Sequence, residues 1–171
     1  MPDSIETYLG LGSNQGNREQ LIATAIEKLS TVLGAPIRQS GIIETEPWGF
    51  TSPHPFLNMV ACFECHLTPT QLLDLTERTE RELGRTTKSS SGNYNDRPID
   101  IDILLYGNKT ISTGRLQIPH PRMHERLFVL EPLNEISPSL IHPTLHKSIT
   151  QLTNAVKDKR QEKKRTSAHT S

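Results

Sequence analysis

The sequence predicts an α+β fold on the split βαβ, ferredoxin-like plan, a sandwich of an antiparallel-rich sheet with helices packed on it. Three observations predict it. Apolar runs and amphipathic stretches follow one another as strand, helix, strand, strand, helix, strand. Both helical stretches open on a capping residue and close on glycine. The run Arg97 to Tyr106 alternates acids with isoleucines, the pattern of a strand with one face in a core.

Each element has a local reason. Thr7 to Leu11 is a short apolar strand ending at Gly12. Asn17 then caps a helix, with Gln20 three residues on as its capping-box partner. Leu21, Ala25, Leu29 and Val32 form its expected buried stripe, and Gly34 ends it. Gly10, Gly12 and Gly16 fall one residue off the dinucleotide-binding fingerprint, and no acid follows at the required distance. These glycines instead let backbone pass close to a neighbour or a ligand. Ile37 to Glu44 is the next strand, followed by a proline-rich loop and the strand Phe56 to Cys65. Thr68 caps the second helix, Pro69 takes its first position and Gln71 completes the box. That helix runs to Leu83 and stops at Gly84, with Glu80 at the border of its buried stripe. Thr86 to Asn95 is polar and rich in serine, a loop placed where a lid would stand.

The acid-bearing strand carries the chemistry. Side chains alternate along a strand, so Asp100 and Asp102 share one face and Ile99, Ile101 and Ile103 the other. Two carboxylates about 6–7 Å apart on one face repel each other, and a divalent cation between them removes the repulsion. Mg²⁺ takes one or two carboxylates and keeps its other positions for water and phosphate oxygens. The pattern is therefore that of a Mg²⁺–nucleotide platform, or else of a half-buried strand with two solvated acids. Arg85 and Arg97 suit a phosphate that brings its own metal. The span from Pro119 to Arg126 adds His120, Arg122, His124 and Arg126.

Composition excludes several classes. The formal net charge of the 171 residues is zero, so bulk electrostatics make no case for a nucleic-acid or membrane partner. The length suits one domain with a real core. Basic residues from Lys157 to Arg165 outnumber Asp158 and Glu162. A domain over 1–152 and a basic tail over 153–171, either a solvated, frayed helix or disordered, are expected. No aromatic residue interleaves the tail's charges, which argues against nucleic acid there. No apolar run approaches the roughly 20 residues of a membrane span, and no signal-like segment opens the chain, so a cytoplasmic location is expected. Cys62-Phe63-Glu64-Cys65-His66 has the spelling of a haem-attachment site. Residues three apart on a strand face opposite ways, so the two thiols cannot serve one haem or one zinc. Reduced packing cysteines are expected instead.

Five separated blocks carry a resemblance to a known family. Arg97-x-x-Asp100-Ile101-Asp102-Ile103-Leu104 resembles the signature of the 6-hydroxymethyl-7,8-dihydropterin pyrophosphokinases of folate biosynthesis. Tyr8 to Asn14 is similar to the family's first strand and turn, and Glu44 to Gly49 to its second loop. Pro55-Phe56-Leu57-Asn58 resembles its pterin-side strand. Pro119 to Arg126 and Phe128-Val129-Leu130 resemble its late loop and strand. The likeness runs from about Tyr8 to about Pro138. It departs from the family at Tyr94-Asn95-Asp96, where Trp-Gly-Pro is usual, in a longer loop before Arg97, and at Pro121, where some members carry an aromatic residue.

The resemblance implies an ATP-dependent pyrophosphokinase that moves the β,γ-pyrophosphoryl unit of ATP to the pterin hydroxymethyl group and releases AMP. It implies that Asp100 and Asp102 hold two Mg²⁺ ions and that Arg85 and Arg97 act on the moving phosphates. Thr45, Trp48, Phe56, Asn58 and Phe128 would take the pterin. Glu80, Lys88, Tyr94, Ile103, His120 and Arg126 would take ATP. A monomer without nucleic-acid or membrane partners is expected. The rival reading is a non-catalytic nucleotide- or RNA-binding module on the same plan. Such a module would show aromatic and basic residues on its sheet, where this chain shows Asp100 and Asp102.

Overall fold

The computed structural model describes residues 4–45, 55–84 and 98–169, with side chains described as far as 161. The chain runs β1 (Ile5–Ser13), α1 (Arg18–Leu33), β2 (Arg38–Gln39), β3 (Ile43–Thr45), β4 (Phe56–Cys65), α2 (Pro69–Glu82) and β5 (Asp100–Tyr106). A small hairpin of β6 (Ile111–Ser112) and β7 (Gln117–Ile118) follows. A 3₁₀ turn (Met123–Glu125) then leads to α3 (Leu127–Ile136) and α4 (Ile149–His169). The main sheet is antiparallel in the order β2-β4-β1-β5, with β3 also pairing with β4.

The sheet carries a core on each face. Leu9, Leu11, Ala61, Phe63, Ile101 and Ile103 pack with the stripes of α1 and α2 on one side. Tyr8, Val60, Cys62, Leu104 and Leu105 pack with α3 and α4 on the other. Each large apolar side chain so buried contributes about 1.5–3 kcal/mol. Cys62 and Cys65 are free, buried and on opposite faces, as strand alternation requires.

Local chemistry explains the helix ends. Thr68 and Gln71 form the full capping box of α2, each side chain bonded to the other's backbone N–H. Only half of the expected box forms at α1. Asn17 accepts from Gln20 N, while the Gln20 side chain donates to Thr24 instead. The buried stripe of α1 is Ile22, Ala25, Leu29 and Leu33; Ala25 and Leu29 are as expected, Ile22 and Leu33 stand in place of Leu21 and Val32, and Val32 is exposed. Both stripes fit the helical period, and the docking angle on the sheet selects between them.

Two further expectations are corrected. The strand over Ile37 to Glu44 is two short strands separated at Ser40, Gly41 and Ile42. Ser40 N still donates to Val60 O, but Ser40 Oγ accepts from Val60 N and Glu135 accepts from Gly41 N, so side chains take over part of the ladder. Phe128-Val129-Leu130 lies in a helix, not a strand. A short continuous apolar run has no period that separates the two, and here the larger run Leu127, Leu130, Leu133 spaces as a helix. Residues 153–169 continue α4. Its first turns are held by buried Ile149, Leu152 and Thr153.

Candidate active site

Register across three strands builds the site. Asn58 of β4 pairs with Gly12 of β1, and Gly12 pairs with Asp100 of β5. One step along, Val60 pairs with Gly10 and Gly10 with Asp102. The central strand therefore offers bare backbone, with an amide on one side and two carboxylates on the other. A Cβ at Gly12 would stand 2.8 Å from Asn58 Oδ1 and would force that amide to shift, whereas one at Gly10 would meet a Leu104 methyl at 3.4 Å, an ordinary contact. Further along the same face, Tyr8, Cys62 and Leu104 are buried under α3 and α4. One sheet face is thus open site at one end and closed core at the other.

A cavity of about 180 Å³ lies over this floor. Gly10 and Gly12 line it below, and Thr45, Phe56, Asn58, Phe128 and Val129 line its sides. Phe128 comes from the first turn of α3, and the Arg126 guanidinium carbon sits 5.5 Å from its ring centroid. Asn58 Nδ2 donates to Thr45 Oγ1 at 2.7 Å. A flat ring with polar edges suits such a slot.

A second, polar cleft of about 350 Å³ borders the first. The α2 face Leu73, Thr76, Glu77 and Glu80 forms one wall, and His120 and Arg126 form another. Asp100, Asp102 and Arg126 line both cavities. The two spaces therefore meet over the acid pair.

The free edge of β5 is held in place by side chains and loop. Glu80 is buried and its Oε2 accepts from Ile101 N at 2.8 Å. His120 N donates to Leu104 O at 3.0 Å, which sets the His120 loop against the same edge. Ser13 Oγ donates to Pro98 O and ties the entry of β5 to the end of β1. Arg115 bridges Asp74 and Glu77, fastening the β6–β7 hairpin to α2. His120 Nδ1 accepts from Arg122 N at 3.2 Å, which leaves the ring proton on Nε2 as a donor. Burial, and then Arg126, push the His120 pKa down to about 4 against the pull of Asp100, so the ring is neutral at pH 7.

The structure brings together Thr45, Phe56, Asn58, Glu80, Asp100, Asp102, His120, Arg126 and Phe128 around the two cavities. Ile103 is different. Its side chain is buried in the core on the face away from the acids. Ile101 donates outward from the sheet edge, and Ile103 two residues on shares that backbone orientation, so only its backbone faces the cleft side. Trp48, Arg85, Lys88, Tyr94 and Arg97 lie outside the described residues. Thr76 and Glu77 escaped the sequence reading. The signal was present in the spacing 73, 76, 77, 80, a helical stripe that turns from apolar to acidic.

Known proteins resemble this chain in sequence and in fold. The profile of the 7,8-dihydro-6-hydroxymethylpterin-pyrophosphokinase (HPPK) family matches residues 8–138. The 2-amino-4-hydroxy-6-hydroxymethyldihydropteridine pyrophosphokinase of Porphyromonas gingivalis is 50% identical over 137 residues, 80% of this chain and 92% of that protein. The enzyme of the same name from Bacillus subtilis is 44% identical over 130 residues, 75% of this chain and 76% of its own. The fold is that of the Plasmodium falciparum HPPK-DHPS solved with pteroate, with a TM-score of 0.75 at 17% identity. That likeness covers 94% of this chain and 44% of the longer one, and shows the fold alone. Matched along most of its length by the family profile and by relatives of its own size, the chain belongs to the 7,8-dihydro-6-hydroxymethylpterin-pyrophosphokinase family.

Proposed function

We propose that the chain transfers the pyrophosphoryl unit of ATP to the hydroxymethyl oxygen of 6-hydroxymethyl-7,8-dihydropterin in folate biosynthesis, giving AMP and the pterin diphosphate. One observation carries the reading: Asp100 and Asp102 line both the aromatic slot and the polar cleft. A pterin in the first and a triphosphate in the second would meet over the acids. Transfer of this kind needs positioning and charge neutralisation more than covalent help.

In this reading Phe56 and Phe128 hold the pterin ring, Asn58 reads its edge, and Thr45 and Trp48 frame it. His120, neutral at pH 7, gives an Nε2–H to the nucleotide, and Arg126 supplies positive charge between the two substrates. Glu80 orders the edge of β5 beside the cleft. Lys88, Tyr94 and the Ile103 backbone complete the ATP site, and Arg85 and Arg97 stabilise charge on the moving phosphates.

Two Mg²⁺ ions belong to the proposal. The donor set fits: hard carboxylate oxygens, half-exposed and on one face. Among the described residues no group of three or more His, Cys, Asp or Glu could hold a metal ion alone. Asp100 and Asp102 would then anchor the ions and leave their remaining positions for phosphate oxygens and water. Bound there, Mg²⁺ supplies neutralisation of phosphate charge and polarisation of the accepting alcohol.

The same proposal places the enzyme in the cytoplasm as a monomer without nucleic-acid or membrane partners; no helix among the described residues is long and apolar enough to cross a membrane. It assigns 1–152 to the pyrophosphokinase domain and 153–171 to a basic appendage, although α4 crosses that boundary. The test is incubation with ATP, Mg²⁺ and the hydroxymethyl dihydropterin, followed by chromatography. AMP and pterin diphosphate in equal amounts are expected. Release of ADP, or no pterin-dependent turnover, would sink the reading.

A further inference from the structure

We infer that the protein has a second small-molecule site, behind the His120 loop, that takes a compact organic carboxylate. The inference goes beyond the proposed transfer reaction and does not depend on it.

A cavity of about 320 Å³ lies between the β6–β7 hairpin, the His120 loop and the turn that joins α3 to α4. Among the described residues it shares no lining with the aromatic slot, and only His120 with the polar cleft. The turn stands beyond residue 138, where the family profile ends, so this wall lies outside the family match.

Local bonding fixes what the turn presents. Ile141 and Ser148 bridge its two ends. The His142 backbone is engaged within it: the N–H donates to Lys147 O, and the carbonyl accepts from His146 N. Its Nδ1 accepts from Thr144 N at 3.2 Å and from Leu145 N at 3.1 Å, which puts the ring proton on Nε2. The far edge of the ring is what is left to line the cavity. His142 is only 4% exposed, yet no described residue accepts from Nε2. A buried donor without an acceptor is costly, and a ligand oxygen in the cavity would supply one.

The rest of the lining sets the class of ligand. His120 and His124 join His142, and no Asp or Glu lines the space. The His124 and His142 rings stand edge to face with centroids 6.3 Å apart. After burial, His124 and His146 are what lower the His142 pKa, so the cluster resists gaining positive charge on its own. Glu125 answers His124 only loosely, at 3.7 Å and from an exposed position. An anion would complement this cluster. A metal ion suits it less, since among the described residues no group of three or more His, Cys, Asp or Glu could hold one. Ile111, Ile118, Pro119, Pro121 and Leu145 form the remaining walls and favour an apolar body on the anion.

The probe is benzoate, with benzamide as its uncharged counterpart. NMR follows the histidine ring signals of the full chain as each is added. Benzoate should shift His124 and His142 saturably, and the hydroxymethyl dihydropterin should not displace it. Benzamide should bind about tenfold more weakly. Leu145 is 37% exposed at the rim, so its replacement should leave the melting temperature near that of the parent. Leu145→Glu should weaken benzoate about tenfold, and Leu145→Lys should bind it at least as tightly as the parent. Should Leu145→Glu fail to fold, the Lys variant and benzamide still decide. Equal binding of benzoate and benzamide would overturn the anion assignment. Displacement by the pterin would put the probe in the aromatic slot, and shifts that never saturate would mean that no site exists. Either result overturns the inference. Because ring signals are read and not turnover, an inactive parent would sink the transfer reaction and leave this site standing.

Discussion

At the scale of single residues, the acid pair and His120 lead to separate expectations. Asp100→Ala and Asp102→Ala should each lower turnover by at least about 10²-fold, the scale of losing a group that stabilises charge in the transition state. Neither should unfold the protein, because both acids stand on the open face while Ile99, Ile101 and Ile103 hold the strand from behind. Turnover and thermal melts of both variants measure this, and retention of most activity in either would remove that acid from the metal platform. His120 makes stability depend on pH. Its folded pKa of about 4 lies below the usual 6.5, so between these values the unfolded chain binds a proton that the folded chain refuses. Stability should therefore fall as pH drops from about 6.5 toward 4, by an amount on the order of 1–3 kcal/mol for so partly exposed a ring. His142 adds to this in the same direction, since burial lowers its pKa too. Melting curves of the ligand-free protein across that range should show the slope, and His120→Asn should flatten it. An unchanged slope in that variant would assign the acid lability to other groups.

At the scale of elements, the edge of β5 is the place to press. Glu80→Ala should leave Ile101 N–H without its acceptor and cost about 1–3 kcal/mol. Glu80→Gln keeps an oxygen at the same reach and should lose less. Denaturant titration of the two variants separates them, and equal losses would mean that the charge matters and not the bond. Much at this scale was legible in the sequence. The capping box of α2, the extent of β4 and the facing of Asp100 and Asp102 away from the isoleucines all follow from local spacing. The helical state of Phe128 did not, because Leu127 to Leu130 is apolar without interruption and only docking on the sheet decides its period. Nor did the row Asn58, Gly12, Asp100. Register depends on how three distant strands align, and no short window of sequence contains that alignment. The glycines could be read as close approaches, but what approaches them could not.

At the scale of the molecule, α4 divides into a part that is core and a part that is not. Ile149, Leu152 and Thr153 are buried and Val156 is partly so, while the described residues from Lys157 onward are exposed. The Lys157–Glu131 pair is 4.0 Å apart and solvent-exposed, and contributes little. Deleting residues 162–171 should leave the melting temperature within a few degrees and the turnover unchanged. Deleting from 149 onward should cost several kcal/mol, since it strips buried Ile149 and Leu152 from the cluster they share with α3. If the short deletion proved as damaging as the long one, the distal helix would be a working part of the fold and the division at 152 would move.

The two cysteines sit back to back through one strand, one beneath each helical layer, and burial raises both thiol pKa values. They form a pair of native chemical clocks. A thiol reagent at mild alkaline pH should mark neither in the folded protein, and each only when its own layer lifts. With Cys62→Ser and Cys65→Ser as single-clock versions, labelling in low denaturant times the two layers independently. β4 lies between β1 and the β2 and β3 pair, so either clock should start only when the sheet itself comes apart, and the two should keep the same time. A lead of Cys62 would show that α3, and Phe128 with it, swings off the slot while the opposite layer stays shut.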